Sequence, residues 1–316
     1  MQQNQVRSIV YTLQQNIRRV IVGKDEAIEL ALIALLCKGH VLIEDVPGVG
    51  KTTLVAALAR SLSCSFKRIQ FTPDVTPSDI TGFTMPSLQT GEMEYKSGAV
   101  MSQIVLADEI NRTSPKTQSS LLEVMEEGQV TVDGVTHPLP RPFMVLATQN
   151  PVDFVGTYPL PEAQMDRFFL RISIGYPTVE QEMDVLERYS GQVKPMATLT
   201  PVCSAQDIIA LQQMVTTIYC APEVRAYVAQ LAAATRQDPA LQLGASTRAA
   251  IALIHGAQAC ALLDGRDFTL PEDVQHMLLP VFSHRLLPNP EARMKGITAE
   301  QVLMNILQNV AVPLKV

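Results

Sequence analysis

The sequence predicts an α/β fold, a parallel sheet covered by helices, followed by an all-helical domain. Three observations carry this. Short apolar runs at 40–44, 66–71, 104–107, 143–147 and 168–172 are too brief for helices and are separated by helical stretches, the rhythm of a helix-covered parallel sheet. A Pro/Gly turn at 47–50 joins the first run to a helix at 51–62, giving strand, loop, helix. After Tyr176-Pro177 helix-start patterns take over. The length of 316 residues, at about 150 per domain, suits two domains, placed at 1–176 and 177–316.

Taken in order, Val6, Val10, Leu13 and Ile17 recur at helical spacing, and residues 25–36 repeat the pattern before Gly39 stops it. Residues 114–127 read as a helix after the run at 104. VTVDGVTH at 130–137 alternates around Asp133-Gly134, a pair suited to the positive φ angles of a hairpin turn, and this hairpin is expected to project from the domain. Thr178 with Gln181, Thr269 with Glu272 and Thr298 with Gln301 have capping-box spacing, and Pro271 falls near a first helical position. No internal repeat or low-complexity tract interrupts the chain.

Apolar residues make up 47% and charged residues 18%, which excludes wholesale disorder. The net charge is −6, and the densest basic runs are the pairs Arg18-Arg19 and Lys67-Arg68, so binding to a nucleic-acid backbone is disfavoured. The five cysteines, Cys37, Cys64, Cys203, Cys220 and Cys260, form no CxxC pair, which points to reduced thiols and a cytoplasmic location. The most apolar stretch, 27–37, contains Glu29 and falls short of the ~20 residues of a membrane span, and the first residues lack the layout of a secretory signal. A soluble protein is expected. The histidines show no metal-ligand spacing.

The strongest local signal is Pro47-Gly48-Val49-Gly50-Lys51-Thr52 between strand and helix. Backbone N–H groups of such a loop converge on phosphate oxygens at the positive end of the helix. Lys51 would reach the β- and γ-phosphates and Thr52 would ligate Mg²⁺. The general phosphate-loop pattern begins with Gly, where this chain has Asp45. The strand at 104–107 ends in Asp108-Glu109, one carboxylate for the Mg²⁺ shell and one to orient or deprotonate a water. The strand at 143–147 leads to Thr148-Gln149-Asn150-Pro151, where Asn150 either senses the γ-phosphate or simply forms a turn. Asp166-Arg167 reads equally as an arginine finger or as a surface pair. Arg248, at a helix start, would touch the γ-phosphate if the second domain closes over the nucleotide, and is otherwise a solvated first-turn residue.

Together these segments resemble the AAA+ ATPases, and the wording resembles the MoxR family more closely: EDVPGVGKT at 44–52, RIQFTPDVTPSDITG at 68–82, LADEINRTSPKTQSSLLEVMEEGQVTVDG at 106–134, ATQNP at 147–151 and GTYPLPEAQMDRF at 156–168. The resemblance implies a three-layer αβα P-loop core and an all-α lid. It implies a Walker A segment at Asp45, Val46, Pro47, Gly48, Val49, Gly50, Lys51 and Thr52, with Thr53 next to it. It further implies Walker B at 104–109, sensor 1 at Asn150, the finger at Arg167, sensor 2 at Arg248, and Val22-Gly23 beside the adenine. Asp45 matches the habit of this family. The segment 78–95 resembles the family's helix 2 insertion, which with the Asp133-Gly134 hairpin would face the pore of a ring.

The function so implied is ATP hydrolysis with Mg²⁺ by a chaperone-type, hexameric remodelling factor. Its partners would carry a von Willebrand factor A domain, and its tasks would include complex assembly, enzyme maturation or metal-cofactor insertion. A nucleic-acid motor or loader and an ATP-dependent switch with little hydrolysis are the alternative readings.

Overall fold

In a computed structural model that describes residues 3–88, 91–150, 156–191 and 194–313, the apolar runs assemble into one parallel sheet. Pro151 of the ATQNP run lies outside the described residues. The chain begins with α1 (Gln3–Arg18), α2 (Asp25–Leu36), β1 (Val41–Glu44), α3 (Lys51–Ser61), β2 (Phe66–Gln70), α4 (Pro77–Thr81), β3 (Gly82–Pro86) and β4 (Met93–Ser97). It continues with β5 (Ile104–Asp108), α5 (Pro115–Glu127), β6 (Gln129–Val132), β7 (Val135–Pro138), β8 (Met144–Gln149), α6 (Glu162–Met165) and β9 (Leu170–Ile172). Thereafter come α7 (Val179–Ser190), α8 (Ala205–Val215), α9 (Pro222–Gln237), β10 (Leu241–Leu243), α10 (Thr247–Leu263), α11 (Pro271–Phe282), β11 (Leu287–Pro288), α12 (Pro290–Met294) and α13 (Ala299–Asn309).

The sheet order is β2-β5-β8-β1-β9, all parallel. Its central strands are buried on both faces, which is why they read as continuous apolar runs. Alternate residues serve opposite faces. Ile43, Leu106 and Leu146 join the cluster under α3, while Leu42, Val105 and Val145 join the one under α5. This order sets β8 between β1 and β5, so the carboxyl ends of three strands converge on one crevice, the usual ligand position in open α/β sheets.

The apolar cluster that holds α1, α2 and α3 continues without a break through Leu211, Tyr227, Leu253, Phe282 and Leu303 of the later helices. Polar groups staple the same junction. Asn16 donates to the Thr200 carbonyl at 2.9 Å and Gln212 to the Leu35 carbonyl at 2.7 Å. Arg285, its side chain 3% exposed, pairs with Asp166 at 2.7 Å and donates to the Phe168 carbonyl at 2.6 Å. Burial lowers this guanidinium to about 10, and Asp166 holds it up against that.

The structure departs from the sequence expectations at three places. The helix ending at Leu36 is stopped by Lys38, at φ 54, with Gly39 following it; the Lys38 and Gly39 amides donate to Leu35 and Ala34, so a Schellman-type turn satisfies the last carbonyls. The box expected on Thr269 and Glu272 does not form: Leu270 is the N-cap and Pro271 the first helical residue, and only the returning half of a box is made, by Asp273, which accepts from the Leu270 amide at 2.7 Å. Among the described residues after 177, the helices are joined by the β10–β11 ribbon and by a bridge between Tyr219 and Phe268. Boxes on Thr178 and Thr298 form as expected. So does the Asp133-Gly134 turn, with φ values of 49 and 80.

The β6–β7 hairpin does not stand alone. His137 stacks on Tyr95 of β4 at 3.9 Å and 12°, tying it to the β3–β4 hairpin. Phe83, Met85, Met93 and Val135 of the two hairpins remain exposed.

His40 ties the sheet to α5 and carries a prediction. Its Nδ1 accepts from the Val145 amide and its Nε2 donates to the Met125 carbonyl, both at 3.0 Å, which fixes the neutral tautomer. Burial pushes its pKa down to about 4 from 6.5. The unfolded chain therefore binds the proton first, so stability present above about pH 6.5 is lost as pH falls towards 4, by about 3 kcal/mol. Urea unfolding at neutral and acid pH, compared between wild type and His40→Gln, should show an acid loss that is larger in the wild type by about this amount.

Candidate nucleotide site

The loop after β1 turns through Gly48 and Gly50 at φ 87 and 92. A Cβ at either would meet nothing within 4 Å, so the backbone conformation, and not crowding, calls for glycine. Gly50 is the left-handed N-cap of α3, and among the described residues no side chain caps that helix. Its first N–H groups, which have no intrahelical partner, lie at a positive helix end beside the crevice.

Asp45 has a different task from the one its place in Walker A implied. Its carboxylate accepts from the Ile174 and Gly175 amides at 2.6 and 2.7 Å, from the Ser173 hydroxyl at 3.1 Å and from the Val46 amide at 2.9 Å. A buried acid here cross-links the loop to the chain leaving β9, and it lines neither part of the crevice. Lys51 donates to the Asp45 carbonyl at 2.8 Å. Partial burial lowers its pKa, while Asp45, Asp108 and Glu109 act to raise it.

The two carboxylates ending β5 are held differently. Asp108, buried, accepts from the Thr148 hydroxyl at 2.6 Å and from Arg68 Nε and Nη2 at 3.1 and 2.6 Å. Glu109 is left-handed at φ 59, uncommon for a residue with a side chain, and its amide donates to Thr148 Oγ1 at 2.8 Å. Its carboxylate accepts from Gln70 at 2.8 Å and pairs with Arg112 at 3.3 Å. Arg68 in turn donates to Gln70 at 2.6 Å.

Pro47, Gly48, Gly50, Lys51, Thr52, Thr53, Asp108, Glu109 and Asn150 thus line one cavity of about 350 Å³, together with Arg68. A more apolar hollow of about 310 Å³ adjoins it through the shared Gly48, Gly50 and Thr53, lined also by Val20, Ile21, Val22, Val49, Pro177, Val185 and Tyr189. Of the Val22-Gly23 pair only Val22 reaches this hollow. Gly23 packs under α7, where a Cβ would lie 2.2 Å from the Gln181 side chain.

Arg167 and Arg248 lie elsewhere. Both grip Glu126 of α5, at 3.2 and 2.6 Å, beside a separate cavity of about 290 Å³. Arg248, expected to touch the γ-phosphate if the second domain closes over the nucleotide, is held here by Glu126 beside a cavity other than the one at the phosphate loop. Ser246, the N-cap of α10, also donates to Asp166 at 3.0 Å, which anchors that helix start to the Asp166-Arg167 corner, away from the phosphate loop.

Sequence reasoning missed Arg68, Gln70, Thr148 and Glu126. Arg68 and Gln70, two apart on β2, occupy one face of a strand that pairs Gln70 with Asp108, so strand order is the signal that finds them.

Known proteins share this arrangement. Residues 40–170 match the model of the ATPase family associated with various cellular activities (AAA), and 233–306 match that of the AAA lid domain. The chain is 52% identical to YeaC of Bacillus subtilis over 95% of its own length and 94% of that protein. It is 41% identical to Chaperone MoxR1 of Mycobacterium tuberculosis over 96% of its length and 83% of that protein. A crystal structure from Cytophaga hutchinsonii superposes with a TM-score of 0.92 at 38% identity, covering 98% of this chain and 97% of that one. With a phosphate loop, an acid-tipped neighbouring strand and a helical lid in one sheet order, and relatives of this similarity along nearly its whole length, the chain belongs to the MoxR family of AAA+ ATPases.

Proposed function

We propose that this protein hydrolyses ATP as a ring-forming chaperone or remodelling factor. The observation that carries the reading is the junction of a polar cavity at the α3 N-terminus with an apolar hollow, a shape and chemistry suited to a triphosphate joined to an adenine. The glycine loop, Lys51 and the free amides of α3 bind the phosphates, while Val22, Val49 and Tyr189 face the base. Thr52 and Asp108 supply one hydroxyl and one carboxylate, a hard-oxygen set that would hold Mg²⁺, and a cation held there would neutralise charge on the phosphate oxygens. Glu109 orients the attacking water and takes its proton, with Asn150 beside it.

Arg167 and Arg248 act on the nucleotide of a neighbouring subunit, since both stand together away from their own crevice. The exposed apolar residues of the two hairpins serve a protein client, with a von Willebrand factor A protein as partner, in a cytoplasmic hexamer. The support for the ring is this incompleteness of the single subunit, and for the partner it is membership of the family. Among the described residues no helix is long and apolar enough to cross a membrane.

Turnover per subunit, measured by phosphate release over a dilution series alongside light scattering, should rise steeply as rings form. A rate that stays constant on dilution to monomers would contradict neighbour-completed catalysis. Complexes trapped by Glu109→Gln with ATP should contain the partner.

A further inference from the structure

Arg68 is the one arginine that lines the phosphate cavity among the described residues, and no role in the nucleotide site follows from the motifs. Two of its nitrogens sit on the same Asp108 oxygen, at 3.1 and 2.6 Å, while Thr148 takes the other oxygen at 2.6 Å. The Asp108 side chain is 11% exposed and that of Arg68 47%, so the acid is fixed at its strand end and the arginine head has room to leave. Its other partner is Gln70, which also holds Glu109.

We propose that Arg68 is a built-in counter-cation for Asp108: it occupies the carboxylate oxygen that Thr148 leaves open when no divalent cation is bound and yields that oxygen when one arrives. This rests on the reading of the crevice as a nucleotide site. A carboxylate left unpaired beside a phosphate site would repel the incoming anion, and Arg68 removes that repulsion in the metal-free protein. The same pairing must be broken before the metal can use Asp108, so it weakens metal binding. Arg68 therefore makes nucleotide binding less dependent on the metal than Asp108 alone would make it. Release of Arg68 also frees Gln70 from one of its two partners, which links metal arrival to the residue that holds Glu109.

The test is the ratio of the dissociation constant of fluorescent ADP in EDTA to that in saturating Mn²⁺, measured on the intact protein. By linkage this ratio is the coupling between metal and nucleotide. Arg68→Gln should raise it about three- to tenfold, through weaker metal-free binding and tighter Mn²⁺ binding, the size expected for a half-exposed charged pair. Arg68→Lys keeps the charge and should stay close to wild type. A ratio unchanged or lowered in Arg68→Gln would overturn the proposal, as would an equal rise in both variants. Equal loss of ADP affinity with and without metal would make Arg68 a plain phosphate ligand and overturn it too. Failure of the wild type to bind ADP under either condition would instead defeat the nucleotide-site reading on which the proposal stands.

Discussion

Glu109→Gln should lower ATP turnover by about 10²- to 10⁴-fold while nucleotide binding survives, the usual contribution of a positioned general base. The residue is aimed by its backbone. A left-handed φ of 59 and an amide bonded to Thr148 turn the side chain into the crevice beside Lys51 and Asn150. Glutamine keeps the shape and can still accept the Gln70 hydrogen bond, so the substitution removes the proton acceptor and leaves the loop intact. Lys51→Ala should abolish turnover for another reason, by losing the ammonium proposed to meet the phosphates, and its nucleotide affinity should fall as well. Phosphate release combined with titration of fluorescent ATP separates the two. Turnover in Glu109→Gln equal to wild type would remove Glu109 from the chemistry.

Arg167→Ala should cost about 10³-fold or more in turnover, the scale of an arginine finger, with nucleotide affinity kept in each subunit. Arg248→Ala should act in the same direction, because Glu126 holds the two guanidinium groups side by side as one unit. Both arginines are partly exposed, at 30% and 53%, so their removal should leave the fold standing. Thermal unfolding close to that of wild type, with turnover lost, is the expected pair of results. Normal turnover in both variants would return them to the role of surface ion pairs.

Much of this was legible in the sequence because its signals are local. The phosphate loop, the acidic strand tip, the Asp133-Gly134 turn and the boxes at Thr178 and Thr298 each depend on residues a few positions apart. What was not legible depends on partners brought together by topology. Arg68 and Asp108 are 40 residues apart and meet because β2 and β5 are neighbours. Arg248 and Glu126, 122 apart, meet because Ser246 ties the start of α10 to Asp166. Asp45 looked like a residue of the phosphate cradle because its place in the motif lies there, yet its carboxylate is taken by amides at 174 and 175. The misplaced cap at Thr269 shows a smaller limit: with Asp273 next to Glu272, spacing alone does not decide which acid reaches back.

In the proposed ring one subunit holds the triphosphate while arginines of the next complete the site. Mixing Lys51→Ala subunits, which keep Arg167 and Arg248 but lack a working crevice, with Arg167→Ala subunits, which keep the crevice, tests it most directly. Each protein alone should be nearly silent in phosphate release. The mixture should regain a substantial part of wild-type turnover wherever an intact crevice faces an intact arginine. A mixture as silent as its components, in rings shown by mass to contain both, would contradict the account.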